Sequence, residues 1–460
     1  MKDMEKDKRQ KVVVAMFPKK SLRDLTGQAG GFEKRVFVAM SGGVDSSVAA
    51  ALLSGYAGSR EARKKQGYDI AGVFMRFWAD GKNTNGCCSV EAEAAARLVA
   101  AKLEIPFYVW DFAKEFKKRV VDYFLRELRA GGTPNPCAIC NPQIKFGLFL
   151  DKARALGADF IATGHYARVV VIPSRARNLS RMRDEGFKQV ERSFATAQDD
   201  DLEYKLFAAK NRQKDQSYFL SGLNQRQLSR VIFPLGDYKK SEVVRLAQKW
   251  RLPYRRGESF DICFIDDYQR FLKKHIKMRP GKIVGIFNPS QPPLGLGGGK
   301  ILPSPPFIKE GATSSLNLRR GEELLGQHRG LPLYTIGQRA GVGGPGPFYV
   351  VGKNIKANEL IVSNKAKDLL RQELSVKGVN WLPGKPPKLP LSCEVRIRYQ
   401  SKAAPAIINQ QSSIESKVYQ PPAGYYARPE RGILRQKWPG FGRGSYPGIK
   451  CFNRTHLSVS

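Results

Sequence analysis

Residues 36–47 read VFVAMSGGVDSS, and VAAALL follows. The short apolar run predicts a buried strand, Ser41-Gly42-Gly43-Val44-Asp45-Ser46-Ser47 a tight loop, and the second apolar run a helix. That order builds an anion cradle. Gly42 and Gly43 permit φ > 0 and let the backbone come close to a phosphate. The first N–H groups of the helix point at the same spot, with the positive end of the helix dipole behind them. Ser41, Ser46 and Ser47 add hydroxyl donors. No Gly-Lys-Ser or Gly-Lys-Thr follows, so this is not the loop that grips a γ-phosphate through its own lysine.

Outward from this loop, strand and helix patterns alternate. Strands are predicted at 35–40, 69–76, 107–110 and 159–162, and helices at 45–54, 89–103, 112–130, 145–156 and 239–250. GGTPNP at 131–136 breaks the pattern. Alternating units of this kind imply an α/β fold with a mainly parallel sheet, helices on its faces and ligands at the carboxyl ends of the strands. Residues 1–34 read as an N-terminal extension: KVVVAM at 11–16 echoes RVFVAM at 35–40, but Phe17-Pro18-Lys19-Lys20 follows in place of a phosphate loop. The catalytic domain is expected over 35–260, a small central domain over 261–345 and a C-terminal antiparallel β-barrel-like domain over 346–460. The strand-like runs FYVVGK, ELIVS and CEVRIRYQ open the last of these. Two stretches without steady periodicity, 173–201 and the Pro/Gly/Ser-rich 288–320, read as surface insertions. The first falls inside an expected hairpin between VVVIP and LEYKLFAAK. Alternation fades after about 403, and residues 428–460 carry seven Lys/Arg against the single acid Glu430.

Composition bounds the function. With 460 residues, 42% of them apolar, the chain can hold two or three domains with real cores. Seventy-eight Lys+Arg against 41 Asp+Glu give +37, a field that attracts polyphosphate and nucleic acid. No apolar run approaches the ~20 residues of a membrane span, and VVVAMF is too short for a signal-peptide core. A cytoplasmic protein with no membrane partner is expected. Its seven cysteines then read as reduced thiols rather than structural disulfides.

The 41–47 loop resembles the pyrophosphate loop of the N-type ATP pyrophosphatases, the adenine nucleotide alpha hydrolase-like enzymes that cleave ATP to AMP and pyrophosphate. Further stretches are similar, in order, to the bacterial tRNA-specific 2-thiouridylases: TPNPCAICN (133–141) followed by IKFG, ATGHYARV (162–169), KDQSYFLSGL (214–223), FPLGDYKKSEVVRLAQ (233–248), DICFI (261–265), GQRAGVG (337–343) and the expected strand RIRYQ (396–400). The resemblance covers about 35–400 apart from the insertions. It implies a tRNA-uridine 2-sulfurtransferase that replaces O2 of the wobble uridine, position 34, with sulfur at the expense of ATP. An unactivated carbonyl oxygen leaves poorly, so O2 is first adenylated. Sulfur arrives as a persulfide on one cysteine, and a second cysteine releases it by forming a disulfide. By the same likeness Cys263 is the persulfide carrier and Cys140 the nucleophile. Ala39, Met40, Ser41, Gly42, Gly43, Val44, Asp45, Ser46, Met75 and Gly164 bind ATP. Asn135, Pro136 and Cys137 line the target-base pocket, and Lys214, Asp215, Gln216, Arg398 and Tyr399 contact tRNA. The implied partners are ATP with Mg²⁺, the Lys, Glu and Gln isoacceptor tRNAs, and a sulfur relay fed by a cysteine desulfurase system.

Taken by themselves, several of these residues read more plainly. Cys263, between Ile262 and Phe264, is by context a buried small apolar residue. Cys137 and Cys140 form a CxxC that could be half a zinc site or a redox pair. Because Cys87 and Cys88 are adjacent and the histidines (165, 275, 328, 456) are scattered, no protein-bound metal is expected. Asn135 and Pro136 are placed on an extended loop, Gly164 where a nucleotide approaches backbone, and Met75 at a strand end. His165, beside Tyr166, reads as structural. Competing functions are a GMP-synthetase-like amidating enzyme, for which no glutaminase stretch is evident, a cluster-dependent cytidine thiolase, which needs more grouped cysteines, and a non-catalytic RNA-binding protein. The insertions and the sequence after about 403 depart from the family pattern.

Overall fold

The computed structural model describes residues 34–56, 68–80, 89–173, 202–255, 262–286, 322–343, 347–370, 373–377, 379–399, 401, 403–408 and 415–419. The expected extension 1–34 except Lys34, which opens the first strand, both insertions apart from Pro173, Cys87, Cys88 and the tail from 420 lie outside these residues.

The first sheet is built from β1 (Lys34–Ala39), β2 (Tyr68–Arg76), β3 (Phe107–Asp111), β4 (Phe160–Ala162) and, after the hairpin of β5 (Ala167–Pro173) and β6 (Leu202–Ala208), β7 (Val231–Ile232). Its order is β3-β2-β1-β4-β7, and every neighbouring pair is parallel. Period-two alternation along β1 divides two cores. Val36, Val38 and Met40 join one cluster with Val48 and Ala49 of α1 (Val44–Leu53) and Val99 of α2 (Val90–Leu103), while Phe37 and Ala39 join the other with Phe116, Phe124, Ile144 and Phe149. With both faces covered, the strand reads as a continuous apolar run. The second cluster is roofed by helical stretches α3 (113–129) and α4 (136–155). The sheet is the parallel α/β layer expected from the alternation.

Helix α4 starts nine residues before the predicted 145, because the sequence breaker is also a helix start. Asn135 is the N-cap, its side chain accepting from Cys137 N at 3.1 Å, and Pro136 occupies the first turn. Pro142 lies inside the helix, and residues Asn141–Leu148 wind as a π-helix around the missing N–H.

Two further sheets follow. After α5 (Gln225–Leu228), α6 (Lys240–Lys249) and α7 (Tyr268–His275) come β8 (Gly281–Ile286), β9 (Glu322–His328), β10 (Tyr349–Asn354) and β11 (Glu359–Ser363), in the order β10-β11-β8-β9. FYVVGK and ELIVS therefore do not open the C-terminal module as expected. β11 pairs in parallel with β8, and Phe348, Val350, Leu360 and Val362 share one core with Ile283. The antiparallel C-terminal sheet comprises β12 (Glu373–Lys377), β13 (Leu391–Val395), β14 (Ala404–Ile408) and β15 (Glu415–Tyr419), ordered β12-β15-β14-β13.

The sequence expectation fails here in two more places. RIRYQ is not a strand: β13 ends at Val395, which pairs with Ala404, and residues 396–399 lie in the connecting loop, with Ser401 N donating to Arg398 O at 3.1 Å. Alternation also persists past 403, since Ala404, Ala406 and Ile408 are buried while Pro405 and Ile407 face outward. Among the described residues no helix is long and apolar enough to cross a membrane.

Candidate active site

The phosphate loop forms where β1 hands over to α1. Met40, the residue after β1, is buried, and its N–H donates to Val73 O at 2.8 Å. Gly42 has φ +75°, and a Cβ there would lie 2.1 Å from Ala92 O, so only glycine fits between the loop and α2. Gly43 caps α1 with no side chain. The serines brace the loop. Ser46 Oγ accepts from Ser41 N at 3.1 Å and donates to Gly43 O at 3.1 Å, while Ser47 Oγ donates to the same carbonyl at 2.8 Å. From the far side, Arg255 N donates to Gly42 O at 2.8 Å. An α-helix cannot satisfy its first-turn N–H groups internally, and at the start of α1 they are arranged as an anion site requires.

Asp45 lies in that first turn between two partners. Lys240 Nζ donates to both carboxylate oxygens at 2.7 Å, and the Tyr166 hydroxyl donates to Oδ1 at 2.7 Å. Burial, with the Asp45 carboxylate beside it, raises the Tyr166 phenol well above its ordinary range, so it stays a donor. Gly164 lies two residues after β4, against the first turn of α1. A Cβ on it would meet Ser46 N at 2.8 Å, so its bareness lets the strand end pack against the first turn of α1. Met75 is half-buried near the end of β2 and packs against the α3–α4 core.

The cysteines stand on the other side of the sheet. Cys137 and Cys140 are on the first turn of α4; Cys137 is half-buried and Cys140 only 4% exposed. Cys263 lies in the turn before α7, half-buried. Its neighbour Phe264 anchors the turn, its ring 5.5 Å from Phe116 and 5.7 Å from Phe124. Cys140 belongs to this core and Cys263 packs against it, so the fold brings two thiols remote in sequence to one cluster. No disulfide joins any of the four described cysteines, and no group of three or more His, Cys, Asp or Glu among the described residues could hold a metal ion.

The segments expected to contact tRNA are placed unevenly. Lys214 is half-buried. Asp215 is 4% exposed and turned inward, accepting from Ala209 N, Ser217 N and Ser217 Oγ at 2.9, 3.2 and 2.9 Å. Gln216 accepts from Tyr166 N at 2.9 Å. Tyr399 sets its ring 4.5 Å from Phe219, tilted by 40°, and Arg398 donates to Ile336 O. The 396–399 loop thus bridges the KDQ segment and the central module. His165 is half-buried, paired through Nδ1 with Thr163 Oγ1 at 2.8 Å, and held well below the usual imidazole range by desolvation, with Lys145 adding to it.

Sequence reasoning missed three contributors. Lys240 and Tyr166 both lay inside recognised motifs without an assigned role. Gln227 donates to Pro142 O and Phe146 O at 2.8 and 3.0 Å, satisfying carbonyls in the π-wound segment. A glutamine three residues after Asn224, the signature of a capping box, was its only trace in the sequence.

Residues 34–267 match the family described as tRNA methyl transferase HUP domain, 311–364 the tRNA methyl transferase PRC-barrel domain, and 371–420 the aminomethyltransferase beta-barrel domain. A Chloroflexus aurantiacus protein named tRNA-specific 2-thiouridylase MnmA is 39% identical over 384 residues, covering 82% of this chain and 88% of the relative. Its namesake from Roseiflexus sp. is 37% identical over 409 residues, covering 87% and 93%. MnmA 2 of Clostridium tetani is 38% identical over 397 residues, covering 84% and 90%. A parallel sheet feeding a glycine–serine phosphate loop, with two β modules after it, defines an α/β protein of the pyrophosphate-loop class. The chain belongs to the tRNA-specific 2-thiouridylase family.

Proposed function

We propose that this protein is an ATP-dependent sulfurtransferase that makes 2-thiouridine at the wobble position of tRNA. The observation that carries the reading is that Cys140 and Cys263 border one hydrophobic cluster of the domain that also carries the phosphate loop. ATP is held by the 41–46 loop with Ala39, Met40, Met75 and Gly164 around it. The uracil O2 attacks the α-phosphate, pyrophosphate departs into the cradle at the α1 N-terminus, and AMP becomes the leaving group on C2. Cys263 carries a persulfide. The Cys140 thiolate attacks its inner sulfur, a Cys140–Cys263 disulfide forms, and the released hydrosulfide displaces AMP from C2. A thiol reductant then restores both cysteines.

Asn135, Pro136 and Cys137 flank the base, while Lys214 and the 396–399 loop meet the tRNA. The Asp45 carboxylate, set among phosphate donors, fits an oxygen-seeking Mg²⁺ arriving with ATP, which would supply charge neutralisation. The wobble uridines of the Lys, Glu and Gln isoacceptors, a persulfide relay from a cysteine desulfurase and a cytoplasmic setting complete the reading. Methyl transfer, the reaction that the matching family's description names, calls for neither a phosphate loop nor paired thiols.

The test is mass spectrometry of the wobble nucleoside after incubation with ATP, Mg²⁺, sulfide and unmodified tRNA. Wild type yields 2-thiouridine; with a protein persulfide donor, Cys140→Ser and Cys263→Ser yield none. Full product from both variants would overturn the cysteine mechanism. A version lacking residues 403–460, assayed beside the full chain, reads what the C-terminal module contributes.

A further inference from the structure

The phosphate loop has a deficit that its own sequence does not repair. Between Ser41 and Ser47 it contains no cation, yet it carries the carboxylate of Asp45. A loop meant for a polyanion gains nothing from an uncompensated negative charge in its first helical turn. In loops that grip a γ-phosphate, a lysine inside the loop makes up this deficit. Here a lysine comes from elsewhere in the chain. Lys240 Nζ lies 2.7 Å from both oxygens of Asp45, with its side chain 25% exposed.

The delivery of Lys240 is fixed by the fold. It is the first residue of α6, whose start is braced by Glu242 Oε2 accepting from Lys239 N at 2.6 Å. Val243 and Ala247 of α6 are buried in the same cluster as Val48, Ala49 and Ala50 of α1, so the helix that carries the lysine packs on the helix that follows the loop. Its side chain is a flexible four-carbon stem ending in three rotatable donors, which allows a change of partner without backbone movement. Asp45 does not depend on Lys240 alone, because the Tyr166 hydroxyl still donates to it when the lysine turns away.

We infer that Lys240 is a phosphate-binding residue of this site, a cation that neutralises Asp45 while the loop is empty and passes to the β- and γ-phosphates when ATP enters. The inference deepens the ATP reading above and rests on it. It also gives a role to FPLGDYKKSEVVRLAQ, which otherwise has none.

Equilibrium binding of ATP and of AMP, both with Mg²⁺, separates the possibilities, because AMP lacks the phosphates in question. Lys240→Met is expected to weaken ATP at least about tenfold and AMP less than about twofold, and Lys240→Arg to retain ATP within about threefold. The double variant Asp45→Asn, Lys240→Met is the decisive arm. With no carboxylate left to neutralise, it still binds ATP poorly if the lysine contacts phosphate. ATP affinity restored to the level of Asp45→Asn alone, or an equal loss for ATP and AMP in Lys240→Met, overturns the inference. Should Lys240→Met fail to fold, the double variant and Lys240→Arg decide between the two outcomes. Wild-type protein that binds no ATP would instead reject the ATP reading itself.

Discussion

Asn141, the residue after Cys140, donates through Nδ2 to the carbonyl of Phe219 at 2.8 Å, and it does so while only 2% exposed. The bond ties the helix that carries the candidate nucleophile to the turn that follows Lys214-Asp215-Gln216. Removing a buried donor leaves the carbonyl unsatisfied, at about 1–3 kcal/mol. Asn141→Ala is therefore expected to lower the urea midpoint accordingly and to reduce 2-thiouridine formation while ATP affinity holds. A parallel fall in ATP affinity would make the bond a general brace with no particular hold on Cys140.

Gly164 is pressed against α1. A Cβ there would sit 2.8 Å from Ser46 N and 2.9 Å from Asp45 C, both backbone atoms that cannot swing aside. Overpacking of this kind costs about 1–3 kcal/mol and shifts whatever is rigidly joined to it. Gly164→Ala should weaken ATP binding more than Gly157→Ala does. Gly157, unlike Gly164, has a positive φ (+84°), but a Cβ there meets only the far end of Arg35 at 3.9 Å, so it reports backbone strain without displacing α1. Equal ATP affinity in the two variants would remove Gly164 from the account of the loop.

What the sequence made legible followed from short-range rules. The β1–loop–α1 unit could be placed to within a residue or two because its apolar runs and glycines act locally. The start of α4 was missed because the same Asn-Pro pair that ends an extended segment also caps and opens a helix. RIRYQ was read as a strand from its alternation, but strand pairing is a long-range choice, and the Val395–Ala404 register left it in the loop. Lys240 and Asp45, far apart in the chain, meet only through the packing of α6 on α1, and no spacing rule foretells that contact. Asp215 and Gln216 show the converse, polar residues that look solvent-facing in sequence and are spent on internal bonds.

His165 makes stability depend on acidity with a definite sign. Its folded-state affinity for a proton is pushed well below the ordinary value, first by desolvation and then by Lys145. In the unfolded chain it titrates near ~6.5. Below that pH the unfolded state takes up a proton that the folded state refuses, so stability falls as pH drops through about 6.5, by up to ~1.4 kcal/mol per pH unit. His165→Gln can keep a bond to Thr163 without this titration. The difference in unfolding free energy between the two proteins should therefore shift in the variant's favour from pH 7 to pH 5. An unchanged difference across that range would show that folding leaves the imidazole's proton affinity as it is in the unfolded chain.

Phe219 and Tyr399 join the catalytic domain to the C-terminal module through rings 4.5 Å apart and tilted by 40°, and Tyr218 adds a hydroxyl bond to Ile397 O at 3.3 Å. Aromatic pairs in this geometry couple by about 0.5–1.5 kcal/mol beyond their buried area. A double-mutant cycle on Phe219→Ala and Tyr399→Ala should recover that coupling in the unfolding free energy, whereas additive effects would mean the contact does not hold the modules together. Tyr399→Phe then separates brace from tRNA contact, since it keeps the ring and loses only the hydroxyl. Weaker tRNA binding at unchanged stability assigns the hydroxyl to the RNA. If both quantities stay at their wild-type values, the Tyr399 hydroxyl takes part in neither.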